Sequence, residues 1–300
     1  MPELPDVTIY QERIEALLVG DVLAELRCNS PFLVRTVDPK PSVVHGQELL
    51  AVRRIGKRLV FEFPMEHFVV LHLMIAGRLN WHRGERKLGN KMDLCLFDFG
   101  EGTLALTEAG SKKRASLHMV RGRDGLAEFD RGGLEALDAT PRQFAERLRG
   151  ENRTLKRALT DPTRFSGIGN AYSDEILHRA RLSPVTLTTR LEDQEVERLR
   201  LAVVATMKEW TARLRAEAGD GWPTKVTAFR DGMAVHGRYQ QPCPACGSAV
   251  QRIRYADNEC NYCATCQCNG RLLADRGLSQ LLKKDWPKTL AELEERRQPR

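Results

Sequence analysis

Between Pro5 and Gly20 the apolar residues Val7, Tyr10, Ile14 and Leu17 recur every three or four positions, the spacing of one helical face. Pro5 suits the first turn of such a helix, where a missing amide proton costs nothing. The chain therefore opens as a short extended tip feeding a helix. From about Val22 to Val120 the period shortens. The runs RLVFEF, HFVVLHLM, KMDLCLFDF and GTLALTEA are separated by Gly, Asp, Asn and Pro, which predicts an all-β body arranged as a sandwich. A looser stretch, VRGRDGLAEFDRGGLEALDATP, marks a boundary. Helical patterns follow in PRQFAERLRG, TLKRALTD, NAYSDEILHRARL and LEDQEVERLRLAVVATMKEWTARLRAEAG. A Gly/Pro-interrupted stretch, GDGWPTKVTAFRDG, leads into a cysteine-rich segment. The end, LSQLLKKDWPKTLAELEERR, reads as one or two charged amphipathic helices broken at Pro287.

These patterns predict an α+β chain: a β-sandwich body with flanking helices over 1–130, a hinge over 131–145, and a helical domain over 146–238. A small cysteine ribbon over 239–269 and a charged helical tail over 270–300 complete it. At 300 residues the chain is long enough for two domains. Lys plus Arg outnumber Asp plus Glu by 47 to 40, a net charge of +7, which favours a polyanionic partner. No apolar run approaches the roughly 20 residues of a membrane span, and the N-terminus lacks the regions of a signal peptide. The expectation is a cytoplasmic protein with no membrane partner.

Six of the eight cysteines fall between Cys243 and Cys268, whereas Cys28 and Cys95 stand alone. The pairs CPAC (Cys243, Cys246) and CATC (Cys263, Cys266) each place two thiolates on a tight turn, the spacing of a structural zinc ribbon holding one ion. Cys260 and Cys268 have no C-x-x-C partner of their own but remain competing donors. Arg252 and Arg254 are placed to offset the charge of four thiolates. In RFSGIGNAYSDEIL, Gly167 and Gly169 permit a tight turn before a helix start at Asn170, and such a start with Lys156 nearby can form an anion site. An ordinary helix junction explains the same residues. In RRIGKRLVFEF, Gly56 and Lys57 read as a hairpin tip, and a turn lysine is by default a solvated charge. At the terminus, removal of Met1 would expose the secondary amine of Pro2. Attack of that amine on an aldehydic sugar carbon gives a cationic iminium, an electron sink for β-elimination. Glu3 would then shuttle protons and Asp6 orient the terminus, while the plain alternative is a frayed end ahead of a helix start.

PELPDV, IGKRL, LHLMIAGRL, SGIGNAYSDEIL and the CPAC to CATC ribbon, in this order from Pro2 to about Gln267, resemble the formamidopyrimidine-DNA glycosylase and endonuclease VIII family of bifunctional base-excision repair enzymes. The resemblance implies a sandwich domain, a helical domain with a helix-two-turn-helix, a zinc finger, and damaged or abasic DNA bound by a monomer. It implies Pro2 as nucleophile, Glu3 as general acid/base, Lys57 as a catalytic turn lysine, and Lys156 and Asn170 as phosphate binders. Several positions depart from the pattern. Asp6 replaces a more usual Glu. Ile75 stands where many members carry a void-filling Met, and EAGSKKRASLH offers Lys112, Lys113 and Arg114 in place of an Arg-Phe wedge. Asn258 aligns with a phosphate-gripping Arg, the segment before the ribbon is short for a lesion-capping loop, and the tail is long. The departures leave the chemistry in place and imply altered lesion recognition with weak 8-oxoguanine preference. The competing expectations are a catalytically weak paralogue that binds damaged or abasic DNA, and an RNA-binding zinc protein, which leaves the Pro2-Glu3 terminus unexplained.

Overall fold

The computed structural model describes residues 1–224, 226–227, 229–255 and 258–297. Two compact units emerge, Met1–Gly132 with Lys208–Ala228, and Gly133–Met207 with Phe229–Arg300.

The first unit begins with α1 (Leu4–Leu18), whose first turn carries Pro5 and whose buried face holds Val7, Tyr10, Ile14 and Leu18. Leu17, counted from the pattern as part of that face, is exposed, and Leu18 takes the inward place. A short pair, β1 (Val22–Leu23) and β3 (Gln47–Glu48), flanks β2 (Glu25–Cys28) in sequence. Next come β4 (Ala51–Ile55), β5 (Arg58–Phe63), β6 (His67–His72), β7 (Gly77–Arg83), β8 (Asp93–Asp98), β9 (Gly102–Glu108), β10 (Ser116–Arg121) and the short α2 (Arg123–Ala127). They form two antiparallel four-stranded sheets, ordered β10-β6-β5-β4 and β2-β8-β9-β7. Alternation along β5 decides which side chains enter the core. Leu59, Phe61 and Phe63 point into a cluster shared with Phe97, Leu104 and Leu106 of the other sheet, whereas Val60 faces away toward Leu126 and Phe129. Phe61 and Phe97 stack at 5.2 Å between centroids, one ring from each sheet, which makes the body a sandwich as the pattern predicts.

The second unit contains α3 (Pro141–Arg149), capped by the Thr140 side chain, then α4 (Leu155–Thr160), α5 (Asn170–Arg179) and the start of α6 (Asp193–Ala218). A hairpin, β11 (Gln251–Tyr255) and β12 (Asn258–Tyr262), leads to α7 (Ala264–Cys268). The tail forms α8 (Arg276–Leu282) and α9 (Leu290–Arg297), with the break before α9 at Pro287. Its last three positions lie outside the described residues. Leu272 and Leu290 of the tail pack with Ile253, Cys260 and Tyr262 of the hairpin, so the tail adds apolar cover to the ribbon. Among the described residues no helix is long and apolar enough to cross a membrane.

Candidate active site and metal centre

The terminus is held, not frayed. Pro2, Glu3 and Asp6 are buried, Glu3 and Asp6 each to 2 % exposure. The Asp6 carboxylate accepts the Glu3 backbone N–H at 2.9 Å, satisfying an amide that the helix start leaves without an internal partner. Helix α1 is in turn fixed to β7. Its Tyr10 hydroxyl accepts the Leu79 N–H at 3.3 Å, and the Trp222 indole donates to the Leu79 carbonyl at 2.8 Å. Burial holds the α-amino group of the chain below its ordinary pKa near 8, opposed by the negative charges of Glu3 and Asp6 and reinforced by the positive charges of Arg78 and Lys57. Lys57 and Arg78, remote in sequence, thus share one electrostatic environment with Met1, Glu3 and Asp6 of the terminus.

Lys57 occupies the two-residue tip between β4 and β5, beside Gly56, whose φ of 60° lies in the left-handed region that this hairpin turn requires. Arg54 donates to the Gly56 carbonyl at 2.7 Å and fixes the tip. Arg78 was absent from the expected set. It is the second residue of β7, after a turn in which Gly77 N–H bonds the Leu73 carbonyl at 2.9 Å, and its guanidinium donates to the Gly77 and Ile75 carbonyls at 2.7 and 3.2 Å. A β-carbon on Gly77 would lie 2.3 Å from the Leu73 oxygen, so only glycine fits. Ile75 sits in this turn, half exposed, beside Met74 in the left-handed region at φ 52°. His72 is the other residue that the sequence reading missed. It lies opposite Arg58 on β5 and Ser116 on β10, and burial together with the charges of Arg58, Lys57 and His118 lowers its pKa to about 4. The segment LHLMIAGRL that carried part of the resemblance contains both His72 and Arg78, and that was the available signal. Lys112 and Arg114 are exposed. Glu108 fixes their loop: its carboxylate accepts the Arg114 and Ala115 amides at 2.8 and 3.1 Å, and its carbonyl accepts from Lys113 Nζ.

In the second unit, Gly169 caps α5 and Asn170 is its first residue. The Asn170 side-chain amide donates to the Glu259 carbonyl on β12 at 2.9 Å, and Lys156 donates to the Asn170 carbonyl at 2.6 Å and to Asp174 Oδ1 at 2.6 Å. These two bonds engage two of the three ammonium protons of Lys156. Asp174 is fully buried, and its second oxygen meets His236 Nδ1 at 2.8 Å and the Asn261 amide at 3.1 Å. Glu175 accepts the consecutive amides of Ala234, Val235 and His236 at 2.6 to 2.9 Å. Asn258 opens β12, exposed and paired with Tyr255.

The sulfurs of Cys243, Cys246, Cys263 and Cys266 all lie within 4.8 Å of one another. Four Zn–S bonds of ~2.3 Å in a tetrahedron require S···S separations of ~3.8 Å, close to the 3.9 Å of Cys243–Cys266 and the 3.4 Å of Cys246–Cys263. The four cysteines can hold a metal ion. Cys260 packs instead in the apolar cluster under the tail, with Cys268 against the same cluster. Arg252 lies over the Tyr239 ring at 4.1 Å and meets Glu259 at 3.4 Å.

Residues 1–113 match the formamidopyrimidine-DNA glycosylase N-terminal domain, and residues 133–216 match the formamidopyrimidine-DNA glycosylase H2TH domain. An uncharacterized formamidopyrimidine-DNA glycosylase-like protein of Mycobacterium tuberculosis is 38% identical over 151 residues, covering 50% of this chain and 94% of that protein. The formamidopyrimidine-DNA glycosylase of Pelotomaculum thermopropionicum is 28% identical, covering 89% of this chain and 99% of its own. Among solved structures, the MutM (Fpg) protein of Thermus thermophilus superposes with a TM-score of 0.72 at 30% identity, covering 89% of this chain and 98% of that one. The Lactococcus lactis Fpg in complex with abasic-site DNA superposes at 0.78 with 22% identity, covering 89% and 99%.

Proposed function

The chain belongs to the formamidopyrimidine-DNA glycosylase family of base-excision repair enzymes, and from that membership we propose that Pro2, once Met1 is removed, is the nucleophile of a DNA glycosylase with AP lyase activity. The carrying observation is the buried terminus: Pro2, Glu3 and Asp6 are enclosed, and Glu3, Asp6, Lys57 and Arg78 act electrostatically on the Met1 amine one residue away. With Met1 removed, the Pro2 amine lies in this enclosed setting, and its neutral form attacks C1′ of the damaged nucleotide as the base departs. The added nitrogen sheds its one proton, and cleavage of the C1′–O4′ bond, with a proton delivered to O4′, opens the sugar to an iminium cation, which has no N–H to lose because the amine is secondary. It withdraws electrons from C2′, and loss of a C2′ proton expels the 3′ phosphate. Glu3 moves protons at the opened sugar, and Asp6 holds the Glu3 backbone in place. Lys57 and Arg78 stabilise the negative charge brought by the flipped nucleotide.

Lys156, Asn170, Lys112, Lys113 and Arg114 are the proposed backbone contacts, and the proposed location is the cytoplasm. Zinc in the four-cysteine site has a structural role and takes no part in the reaction. Ile75 in the turn and Asn258 on the ribbon support a weak grip on stacked purines. Abasic sites and oxidised pyrimidines are therefore cut faster than 8-oxoguanine opposite cytosine, and comparable single-turnover rates would refute that preference.

The test of the nucleophile is borohydride trapping on abasic-site DNA. Protein whose N-terminus begins at Pro2 should form a covalent adduct mapping to Pro2. Equal trapping by protein that retains Met1 would overturn the assignment.

A further inference from the structure

Cys28 and Cys95 stand 67 positions apart in the chain, yet they are directly opposite each other on β2 and β8, with their sulfurs 2.7 Å apart. The register decides what they can do. The neighbouring Asn29 amide bonds the Leu94 carbonyl at 2.9 Å, which makes Asn29–Leu94 a hydrogen-bonded pair and Cys28–Cys95 the adjacent non-hydrogen-bonded one. At such a pair the α-carbons stand ~4.5 Å apart and the side chains project together, within the span that a disulfide bridges. We propose that Cys28 and Cys95 are a redox pair in which Cys28 is oxidised by peroxide and Cys95 resolves it to a cross-strand disulfide.

The two sulfurs differ in a way that assigns these roles. Cys95 is wholly enclosed in the sandwich core, whereas Cys28 is partly exposed at the end of β2, the edge strand of its sheet. The hydrogen bond from Cys95 lowers the Cys28 pKa against the effect of burial, and burial raises that of Cys95. Cys28 is therefore the thiolate that solvent-borne peroxide reaches. Its sulfur attacks one peroxide oxygen, the O–O bond breaks, and hydroxide leaves, giving Cys28 sulfenic acid. The Cys95 sulfur then attacks Cys28 Sγ and breaks the S–O bond. The departing hydroxide takes up the Cys95 proton. One peroxide and two thiols become one disulfide and two waters, with two electrons passing from sulfur to oxygen. The bond clamps edge strand β2 onto β8 and closes a long loop, constraining the unfolded chain.

The experiment treats the metal-loaded full-length protein with hydrogen peroxide, alkylates the remaining thiols and maps the peptides by mass spectrometry. A linked peptide joining Cys28 to Cys95, lighter than the two reduced peptides by about 2 Da and separated by dithiothreitol, is the expected product. In Cys95→Ser, Cys28 should stop at the sulfenic acid and be captured by dimedone. The oxidised wild-type protein should unfold ~5 to 15 °C higher than the reduced protein, an increase absent in either serine variant. Dimedone capture of Cys28 in the wild type without a cross-link would overturn the proposal. So would cross-links confined to the four metal-site cysteines, or recovery of both Cys28 and Cys95 as thiols.

Discussion

Replacing Asp174 by asparagine tests whether the second unit is organised around one buried charge. Its carboxylate receives Lys156 at 2.6 Å on one oxygen, and His236 and the Asn261 amide at 2.8 and 3.1 Å on the other. The side chains of Asp174, Lys156 and His236 are 0%, 12% and 4% exposed, so water replaces none of these contacts cheaply. Asparagine preserves the shape, but its NH2 must face either the ammonium or the Asn261 amide, donor against donor. The negative charge that compensates Lys156 is lost in either orientation. Breaking a buried pair from one side costs ~3 to 5 kcal/mol, because the surviving charge keeps its desolvation penalty. For a unit of this size that is a fall of roughly 6 to 20 °C in the unfolding temperature, read by calorimetry on metal-loaded protein. Lys156→Met alone should also destabilise, and the Asp174→Asn/Lys156→Met double variant should lose less than the sum of the two. An Asp174→Asn protein within about 1 kcal/mol of wild type, with additive behaviour in the double variant, would refute the reasoning.

Three further outcomes are expected. His72, depressed from its ordinary value near 6.5 to about 4, binds its proton more tightly unfolded than folded, so its contribution to stability is complete above pH 6.5 and lost as the pH falls toward 4. The loss is ~3 kcal/mol, and His72→Gln should flatten the urea midpoint across that window; an unchanged slope would contradict it. Gly77→Ala places a β-carbon against the Leu73 carbonyl, and should cost ~1 to 3 kcal/mol and slow abasic-site incision through displacement of Arg78, whereas wild-type rates would show that the turn yields freely. Cys246→Ser should purify with less than one zinc per chain and bind DNA more weakly; full zinc content by elemental analysis would exclude Cys246 as a ligand.

The parts of the site that were legible in the sequence are those set by local rules. Pro5 and the spacing of Val7, Tyr10 and Ile14 marked α1, Gly56-Lys57 marked a hairpin tip, and two C-x-x-C pairs marked the metal centre. What was hidden depends on partners remote in the chain. Asp174 and Glu175 in NAYSDEIL read as the polar face of a helix, yet almost all of α5 is buried, because Lys156, the amides at 234–236 and β12 cover that face. Strand periodicity assigns a side chain to a face but gives no register. Cys28 and Cys95 therefore looked solitary until β2 was aligned with β8. Arg78 was hidden for a similar reason: only the turn closed by Gly77 brings it to the terminal amine.

The same distinction separates the proposed chemistry from the proposed recognition of damage. The proposed catalytic groups lie on elements fixed by internal contacts: α1 through Tyr10 and Leu79, the hairpin tip through Arg54, and β7 through the Gly77 turn. The groups proposed to read the lesion lie on exposed turns, where the chain is free to change without losing its core. Ile75 is β-branched and stiff, and fills less length than an unbranched side chain inserted between bases. The Glu108 carboxylate holds the 114–115 backbone by two hydrogen bonds and its carbonyl accepts from the Lys113 ammonium, so that loop presents cations at a fixed position where stacking would need an aromatic face. At Asn258 a neutral amide offers one short donor group where a guanidinium would offer a charged fork. Under the proposed reading, each difference shifts binding from stacking and bidentate contacts toward long-range attraction to phosphate, which does not discriminate between bases. Selectivity must then come from how easily a nucleotide leaves the helix. That cost is lowest at abasic and poorly stacked sites, which is why the proposed preference runs against a well-stacked 8-oxoguanine pair.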